Sequence, residues 1–330
     1  MDAQTDIAAL AEKLRRGDRR ALARAITLVE SAREDHREQA LALLDTLGSD
    51  RQALRIGLSG TPGVGKSTFI ESFGLMLTGM GKRVAVLAVD PSSARSGGSI
   101  LGDKTRMEQL ARDPNAFIRP SPSQTQLGGV ARRSREAVSL CEAGGFDIVL
   151  IETVGVGQSE TVVAQMADLF VLLLAPAGGD ELQGVKRGIM EMADLILVNK
   201  ADGALKAQAT RTCADYAGAL RLLRKRPQDP EGFPKALTVS ALETDGLDEA
   251  WDAMQELSAW RKEVGIWAET RAGQARYWFG EEVHQGLLDM LRNDPQTATR
   301  MKTAEADVIA GHIGPSAAAQ TVLAGLKARE

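Results

Sequence analysis

One segment decides the fold class, and it reads Gly60-Thr61-Pro62-Gly63-Val64-Gly65-Lys66-Ser67. It matches the pattern Gly-x-x-x-x-Gly-Lys-Ser/Thr in full, between an apolar β-branched run and a helix-length segment over 67–77. In such a phosphate-binding loop (P-loop), glycines let backbone N–H groups curl around a phosphate, and the helix N-terminus adds its positive dipole end. Lys66 reaches the β- and γ-phosphates, and the Ser67 hydroxyl can ligate Mg²⁺. The alternative is a Gly-rich turn that happens to contain Lys-Ser.

From residue 54 onward, short β-branched runs alternate with amphipathic segments of helical length. This pattern predicts an α/β fold in which a mostly parallel sheet is covered by helices on both faces, as in P-loop NTPases. The candidate strands are 55–58, 83–89, 116–118, 147–151, 169–174, 195–198 and 236–239.

The 330 residues, 44% apolar and 25% charged, suggest one large nucleotide-handling domain with appendages, or two modest domains. Residues 7–45 have helical periodicity with a turn at Gly17-Asp18, and helical periodicity returns after residue 246. We therefore predict an N-terminal helical extension (1–50), a P-loop domain (51–245) and a C-terminal helical arm (246–330). The tail after Asp294 has low hydrophobic density, and we expect it to be mobile in part.

Composition also excludes several classes of partner and compartment. Forty basic and 44 acidic residues give a formal charge of −4, which argues against nucleic acid as the main partner. The longest uncharged apolar run, 169–177, is under half the roughly 20 residues that cross a bilayer, so we expect no membrane association. The N-terminus has no secretory pattern, and two cysteines do not make a disulfide framework. We expect a cytoplasmic protein.

A second motif, Asn199-Lys200-Ala201-Asp202, follows the candidate strand 195–198. It fits Asn-Lys-x-Asp, in which the carboxylate accepts hydrogen bonds from N1 and the exocyclic amine of guanine, a pattern that adenine cannot supply. Alone, the motif is often only a polar turn. Together with the P-loop and with Ser240-Ala241-Leu242 after the next strand, which fits the loop that packs on the base, it predicts GTP or GDP as the nucleotide.

A third motif is the apolar run 147–151 followed by Glu152-Thr153-Val154-Gly155. In many GTPases an acid at this place holds Mg²⁺ through water, and the glycine N–H senses the γ-phosphate. Glu152 has a longer side chain than the usual Asp, which suits a water-bridged contact. The alternative is a glutamate that only caps the strand.

Two Gly-rich segments have the composition of nucleotide-sensing loops. In the first, Asp90 ends a strand and should face the crevice at the carboxyl edge of the sheet, where it could hold a metal-bound or nucleophilic water. Asp103, farther along, could reach the same metal or could cap a following helix. The second segment could transmit the nucleotide state to a partner, or it could be an ordinary strand-to-helix loop. Its candidate residues are Gly179, Asp180, Glu181, Gln183 and Lys186.

Together these residues resemble the MeaB/ArgK group of P-loop GTPases, chaperones of methylmalonyl-CoA mutase, with a mitochondrial relative in cobalamin type A disease. The resemblance extends over roughly 7–265, and its C-terminal arm is similar only in helical character. The matching segments are 60–68, which ends at Thr68, and 89–93, 97–107, 118–122, 152–160, 179–184 and 199–202.

The resemblance implies an Mg²⁺-dependent GTPase that binds an adenosylcobalamin-dependent acyl-CoA mutase and gates cofactor loading through the mutase's adenosyltransferase. It further implies that this GTPase protects the mutase from inactivation. In this family the arm makes a homodimer, so dimerisation is also implied. Thr61 stands where some dimeric relatives have a signature Lys, so we expect slow intrinsic turnover that a partner accelerates.

Two other functions stay open on the sequence. One is a metal-insertion GTPase of the same P-loop branch. Such a protein would require a cluster of Cys or His residues near the two Gly-rich nucleotide-sensing loops. The other is a kinase that transfers phosphate to a small molecule or a transport protein. The guanine motif favours GTP over ATP, so a binding assay with both nucleotides would separate these classes.

Overall fold

The computed structural model describes residues 3–31, 33–89, 107–120, 127–153, 159–176, 187–222, 226 and 229–327. The chain divides into two compact units, Met1–Ala272 and Gly273–Glu330. The first unit includes the N-terminal helices and the sheet. The predicted division at residues 50 and 245 stays a prediction, and the two units meet at a different place in the chain.

The first unit contains a seven-stranded sheet in which all neighbouring strands are parallel, in the order β3-β2-β4-β1-β5-β6-β7. Several strands are buried along their whole length, as expected for a sheet covered by helices. The prediction of the fold class is confirmed. The strands are β1 (Leu54–Gly60), β2 (Val84–Val89), β3 (Ala116–Arg119), β4 (Ile148–Thr153), β5 (Leu169–Leu174), β6 (Leu195–Val198) and β7 (Lys235–Thr238).

Helices flank this sheet. In the first unit they are α1 (Ala3–Arg15), α2 (Arg19–Glu30), α3 (Glu34–Leu47), α4 (Lys66–Gly79), α5 (Glu108–Arg112), α6 (Leu127–Ala143), α7 (Ser159–Ala164), α8 (Arg187–Met192), α9 (Lys206–Leu222) and α10 (Leu247–Glu263). A helix α11 (Ile266–Asn293) begins in the first unit and continues in the second.

The main core joins α4 and α10 to the sheet. Phe73 of α4 lies edge-on to Trp251 of α10, with ring centroids 6.0 Å apart. Met254 and Leu257 of α10 are fully buried in the same cluster. Helix α10, which the sequence analysis assigned to the C-terminal arm, therefore packs within the first unit because its apolar face completes the core.

The N-terminal segment contains more breaks than its periodicity predicts. The expected turn is present, and the Asp18 carboxylate caps α2 by accepting hydrogen bonds from the N–H groups of Arg20 and Ala21. A second break separates α2 from α3 after Ser31, whose backbone is extended. No Gly or Pro marks this break, so the sequence pattern did not reveal it.

Buried ion pairs gather where β1, β5 and β6 begin, and we call this set the amino-edge network. Asp168 immediately precedes β5, and Arg271 of α11 donates to both of its carboxylate oxygens, at 2.8 and 2.7 Å. Glu142 of α6 accepts two hydrogen bonds from Arg55, at 2.9 and 2.6 Å, and a third from Arg271. Thus the first turns of α11, which belong to the first unit, are fixed to the edge of the sheet opposite the P-loop.

The same network continues to β6. Asp194 immediately precedes that strand and accepts hydrogen bonds from Arg226 and Arg261, each at 2.6 Å. Burial works to lower the pKa of Arg261, yet the charges and hydrogen bonds of Asp194 and Asp229 raise the pKa above its usual value. The guanidinium therefore stays charged although it is buried.

The second unit consists of the rest of α11 with α12 (Pro295–Ile309) and α13 (Pro315–Lys327). The tail that we expected to be partly mobile is therefore largely helical. Asp294 caps α12, and Pro295 and Pro315 stand at helix starts, where proline is tolerated. Several large apolar side chains of α11 are exposed, among them Phe279, Leu287 and Met290. Within the described part of the chain, no helix is both long and apolar enough to cross a membrane.

Candidate functional site

The P-loop occupies the carboxyl end of β1, between β4 and β5. Gly60 ends the strand so close to β5 that a Cβ atom there would lie 2.4 Å from the carbonyl oxygen of Leu173. Gly65 precedes α4 with a φ of +91°, and a Cβ atom would lie 2.8 Å from Nδ2 of Asn199. Both positions exclude a side chain, so the loop passes tightly from strand to helix and directs the N-terminus of α4 into the crevice.

Lys66 begins α4, and its ammonium group donates to the carbonyl oxygen of Gly60 at 2.6 Å. This contact folds the side chain back over the loop. Burial lowers the pKa of Lys66, and the negative charges of Glu152 and Glu160 partly oppose that effect. The lysine therefore lies in a partly dehydrated position with two acidic groups in electrostatic range, where a triphosphate would offer it stronger partners.

Asn199 connects the predicted guanine motif to the P-loop. Its side chain is buried; Nδ2 donates to the Val64 carbonyl oxygen at 2.9 Å, and Oδ1 accepts from the Ala241 N–H at 3.1 Å. The predicted base loop is therefore tied to the same residue, and Ser72 of α4 adds a hydrogen bond to the carbonyl oxygen of Ala241 at 2.6 Å. Three segments that are distant in the sequence meet at one amide.

The other two polar residues of the predicted guanine motif contact the P-loop and the predicted base loop, respectively. Lys200 has a φ of +61°, an uncommon conformation for a non-glycine residue, and its ammonium group donates to the Gly63 carbonyl oxygen at 2.7 Å. Oδ2 of Asp202 accepts from the Ser240 hydroxyl at 2.6 Å, which orients the carboxylate. Leu242 follows Ser240 and Ala241 in the chain, and its side chain is 77% exposed. An exposed apolar side chain at this place is suited to cover a planar ring.

Oxygen ligands for a cation are available at the carboxyl edge of the sheet. Glu152 lies near the end of β4, buried, in register with Leu58 of β1 and Ala88 of β2. Ser67 lies in the first turn of α4. A hydroxyl and a buried carboxylate are the hard oxygen donors that Mg²⁺ prefers, so the residues present fit this ion. In the described part of the chain, no group of three or more His, Cys, Asp or Glu residues forms a metal cluster.

Several predicted site residues lie outside the described residues. Val89, which precedes Asp90, pairs with Thr153 of β4, so the chain leaves β2 beside the end of the strand that carries Glu152. The described helix after Asp103 begins at Glu108. The residues outside the described ranges are Asp90, Asp103, Gly155, Gly179, Asp180, Glu181, Gln183 and Lys186.

The structure adds Glu160, for which the sequence motifs predict no separate role. It lies in the first turn of α7, is 2% exposed, and acts electrostatically on Lys66. In the sequence, Glu160 stands out only as the last residue of the matching segment 152–160. The sequence pattern does not show that its side chain is buried.

The family comparison agrees with this geometry. The family described as "Methylmalonyl Co-A mutase-associated GTPase MeaB" matches residues 22–296. The chain belongs to the MeaB family. A "Putative GTPase" of Caulobacter vibrioides is 53% identical over 320 residues, covering 97% of each chain. "Methylmalonic aciduria type A homolog, mitochondrial" of Mus musculus is 49% identical over 325 residues, covering 95% of this chain and 78% of the relative.

A solved structure supports the fold of this MeaB-family chain. It is described as "Crystal structure of LAO/AO transport system kinase" and has a TM-score of 0.75 at 36% sequence identity. The match covers 98% of both chains. The parallel sheet and the helices that flank it are thus shared with a solved relative over almost the whole length.

Proposed function

We propose that this protein binds GTP with Mg²⁺ and hydrolyses it to GDP and phosphate. The observation that carries the proposal is the pair of Asn199 contacts, because they bring a complete P-loop and a guanine motif into one site. The naming of the family and of the Caulobacter vibrioides relative supports GTPase activity.

The P-loop residues would bind the phosphates. Backbone N–H groups between Gly60 and Thr68 would surround the β-phosphate, and Lys66 would exchange its contact with the Gly60 carbonyl for the β- and γ-phosphate oxygens. A cation on these oxygens stabilises the charge that develops as water attacks in line. The pKa of Lys66 is lowered mainly by burial, and the negative charge of a bound polyanion would act in the opposite direction and raise it.

Mg²⁺ would be held by Ser67, and by Glu152 through water, with Asp90 and Asp103 as the further candidate ligands. When bound, the ion neutralises charge on the β- and γ-phosphate oxygens. Asp90 is the first candidate to orient the attacking water, since it follows the strand that ends beside Thr153. The Gly155 N–H would report the presence of the γ-phosphate.

Base selectivity would come from Asp202, supported by Ser240. The hydroxyl of Ser240 occupies one lone pair of Oδ2, so the rest of the carboxylate remains to accept hydrogen bonds from guanine N1 and its amine. The Lys200 stem and Leu242 would cover the two faces of the ring. The Ala241 N–H, which donates to Asn199, would hold the base loop in position.

As client we propose an adenosylcobalamin-dependent acyl-CoA mutase of the methylmalonyl-CoA type. GTP hydrolysis would gate cofactor loading from its adenosyltransferase and protect the mutase. The family description names this mutase, and the mouse relative carries the name of methylmalonic aciduria. Signalling to the client would use the segments that carry Asp103 and Gly179 to Lys186, and turnover would be slow until the client binds.

We also propose that the chain forms a homodimer through the C-terminal helices. The exposed apolar side chains of α11, including Phe279, Leu287 and Met290, support an interface of this kind. For the compartment we propose the cytoplasm of the source cell. The mouse relative is named mitochondrial, so a cytoplasmic location does not hold for every member of the family.

The test of nucleotide chemistry is calorimetry with GTP, GDP and ATP in the presence of Mg²⁺, followed by phosphate release. We expect binding of GTP and GDP, little binding of ATP, and slow hydrolysis of GTP. Lys66→Ala should abolish hydrolysis, and Glu152→Gln should slow it by about a hundredfold because the charge facing the metal is lost. Equal affinity for ATP and GTP would remove the basis of the proposal.

The test of the client uses purified mutase. We expect a complex in the presence of a non-hydrolysable GTP analogue, seen by gel filtration, and faster single-turnover hydrolysis on addition of mutase. Lys66→Ala is the control for nucleotide dependence. A hydrolysis rate that mutase does not change would contradict the proposed coupling.

A second candidate is a kinase, which the name of the solved relative favours. A kinase would transfer the γ-phosphate of the nucleotide to an acceptor, whereas a GTPase releases it as inorganic phosphate. GTP labelled in the γ-position separates the two, because transfer leaves label on a protein or small molecule. We expect all label in inorganic phosphate.

A further inference from the structure

The short helix α5 is fastened to the P-loop helix α4 by one carboxylate. Oε1 of Glu71, on α4, accepts a hydrogen bond from the Gln109 N–H at 2.8 Å and a longer one from the Leu110 N–H at 3.4 Å. These N–H groups belong to the first turn of α5, where an intrahelical acceptor is absent. Glu71 therefore caps a helix that is 38 residues away in the sequence.

Packing holds the same two helices together. A Cβ atom on Gly74 of α4 would lie 2.6 Å from Cδ2 of Leu110, so α5 approaches α4 closely only because this residue is glycine. Leu110 is fully buried, and Met107, just before α5, is 1% exposed in the same core. The beginning of α5 is thus fixed by a hydrogen-bonded cap and by close packing.

The contact between α4 and α5 lies on the face of α4 that also carries Ser67. Ser67, Glu71 and Gly74 are spaced by four and three residues, so they share one side of the helix. At about 1.5 Å of rise per residue, the Glu71 backbone lies roughly 6 Å along the axis from that of Ser67. The helix face that presents the proposed Mg²⁺ ligand also fixes α5.

A cap requires only one oxygen acceptor, whereas the Glu71 carboxylate has two oxygens. Oε2 of Glu71 is buried and has no hydrogen-bond partner among the residues that the structure describes. One carbonyl oxygen would satisfy the same two N–H groups, so a glutamine could replace the contact without a buried charge. This difference allows the cap to be separated experimentally from the charge.

Chain geometry connects this contact to the reaction. Met107 is four residues after Asp103, and four extended residues span at most about 14 Å. At the other end, Val89 is held by its pairing with Thr153 and immediately precedes Asp90. The chain that carries both acids is therefore attached at its two ends to elements that border the P-loop.

We propose that Glu71 is a positioning residue for the Mg²⁺-dependent step. By holding α5 against the face of α4 that carries Ser67, it fixes Met107, the residue that lies four positions after the proposed Mg²⁺ ligand Asp103. The proposal rests on the proposed GTPase function and deepens it, since it names a residue that acts on hydrolysis without touching the nucleotide.

The experiment compares Glu71→Ala, Glu71→Gln and Gly74→Ala with wild-type protein and with Glu108→Ala. Glu108 is an exposed residue of the first turn of α5 that pairs with Arg112, so its replacement leaves the contact with α4 intact. Single-turnover hydrolysis is measured at saturating GTP over a range of Mg²⁺ concentrations. GDP affinity is measured by calorimetry in EDTA, and folding is checked by thermal denaturation.

We expect Glu71→Ala to slow hydrolysis by between about ten- and a hundredfold, as a misplaced catalytic constellation does. The Mg²⁺ concentration for half-maximal rate should rise in the same variant. GDP affinity in EDTA should stay within about twofold of wild type, because the P-loop and guanine motif are unchanged. Glu71→Gln should retain the wild-type rate, Gly74→Ala should follow Glu71→Ala, and Glu108→Ala should match wild type.

Three results would overturn the proposal: an unchanged rate in a folded Glu71→Ala variant, equal damage in Glu71→Gln, or a parallel loss of GDP affinity in EDTA. Equal damage would mean that the charge acts on the metal, and a parallel loss would mean general structural damage. If Glu71→Ala does not fold, Glu71→Gln and Gly74→Ala decide. If wild-type protein bound GTP without hydrolysing it, the proposed GTPase function would be wrong. The Mg²⁺ dependence of GTP affinity in the same variants would then still test the proposed role of Glu71.

Discussion

The side-chain amide of Asn199 lies 2.9 Å from the Val64 carbonyl oxygen, and this contact joins the segment after β6 to the P-loop after β1. Because the same side chain accepts the Ala241 N–H, the phosphate loop, the guanine motif and the base loop share one buried group. The geometry of the proposed base site and that of the proposed phosphate site therefore depend on each other.

Replacement of Asn199 by Ala should weaken both GTP and GDP binding by the same factor, about tenfold for each 1.4 kcal/mol lost. The reason is that the Val64 carbonyl and the Ala241 N–H lose their partner, so both loops lose their support. Calorimetry with the two nucleotides measures the effect. Thr210→Ala, an exposed change on α9, is the control. A loss confined to GTP would place Asn199 at the γ-phosphate instead.

Replacement of Asp202 by Asn should change base selectivity. An amide offers one donor and one acceptor, which matches xanthine at N1 and C2 but not guanine, so GTP affinity should fall at least about a hundredfold. Affinity for xanthosine triphosphate should rise. Competition binding with both nucleotides measures the ratio, and Asp245→Asn, an exposed carboxylate paired only loosely with Lys206 at 3.7 Å, serves as control. Unchanged GTP preference would exclude Asp202 from base recognition.

Arg271 should contribute far more to stability than an exposed arginine. Arg271→Ala would leave Asp168 and Glu142 buried without their shared partner, and we expect a loss of about 3–5 kcal/mol in the free energy of unfolding. Arg271→Lys should not restore it, because an ammonium cannot donate to both Asp168 oxygens in the same geometry.

The matched control for Arg271 is Arg24→Ala. Arg24 pairs with Asp6, and both side chains are about half exposed or more, so the loss should stay below about 1 kcal/mol. Urea unfolding measures both variants. Equal midpoints for the two would show that the amino-edge network is no more stabilising than a surface pair.

The two cysteines should react slowly with iodoacetamide. Burial, with a smaller effect of the Glu142 charge, raises the pKa of the Cys141 thiol far above its usual value, and burial also raises the pKa of Cys213. The thiolate is the reactive form, so alkylation should increase with pH and still be rising at about pH 9. Mass spectrometry should find Cys213 labelled slowly and Cys141 only after unfolding. Rapid labelling of Cys141 in native protein would contradict its burial.

The strand pattern was predictable because a parallel sheet buries continuous β-branched runs. The predicted segments 169–174 and 195–198 coincide with β5 and β6, and the others differ by a few residues at their ends. Strand order was not predictable from spacing. Only pairing shows that β1 lies between β4 and β5, and this order places Glu152 beside the P-loop.

The P-loop and guanine motifs were recognisable because their chemistry demands particular residues at fixed spacing. Whether they share one site depends on tertiary contacts such as that between Asn199 and Val64. The roles of Glu71 and Arg271 had no local signal at all. Each acts on a residue distant in the sequence, and a single charged residue in an amphipathic helix usually faces solvent.

The amino-edge network limits where the polypeptide can be shortened. A chain cut at residue 245 would lose Arg261 and Arg271 together, while their acceptors Asp168, Asp194 and Glu142 would stay in the remaining fragment. Such a fragment would retain every nucleotide motif, yet Asp168 would lose its arginine side-chain partner, and Glu142 and Asp194 would each keep only one, from Arg55 and Arg226. The smallest fragment worth expressing therefore runs past Arg271, although that residue lies outside the predicted P-loop domain (51–245).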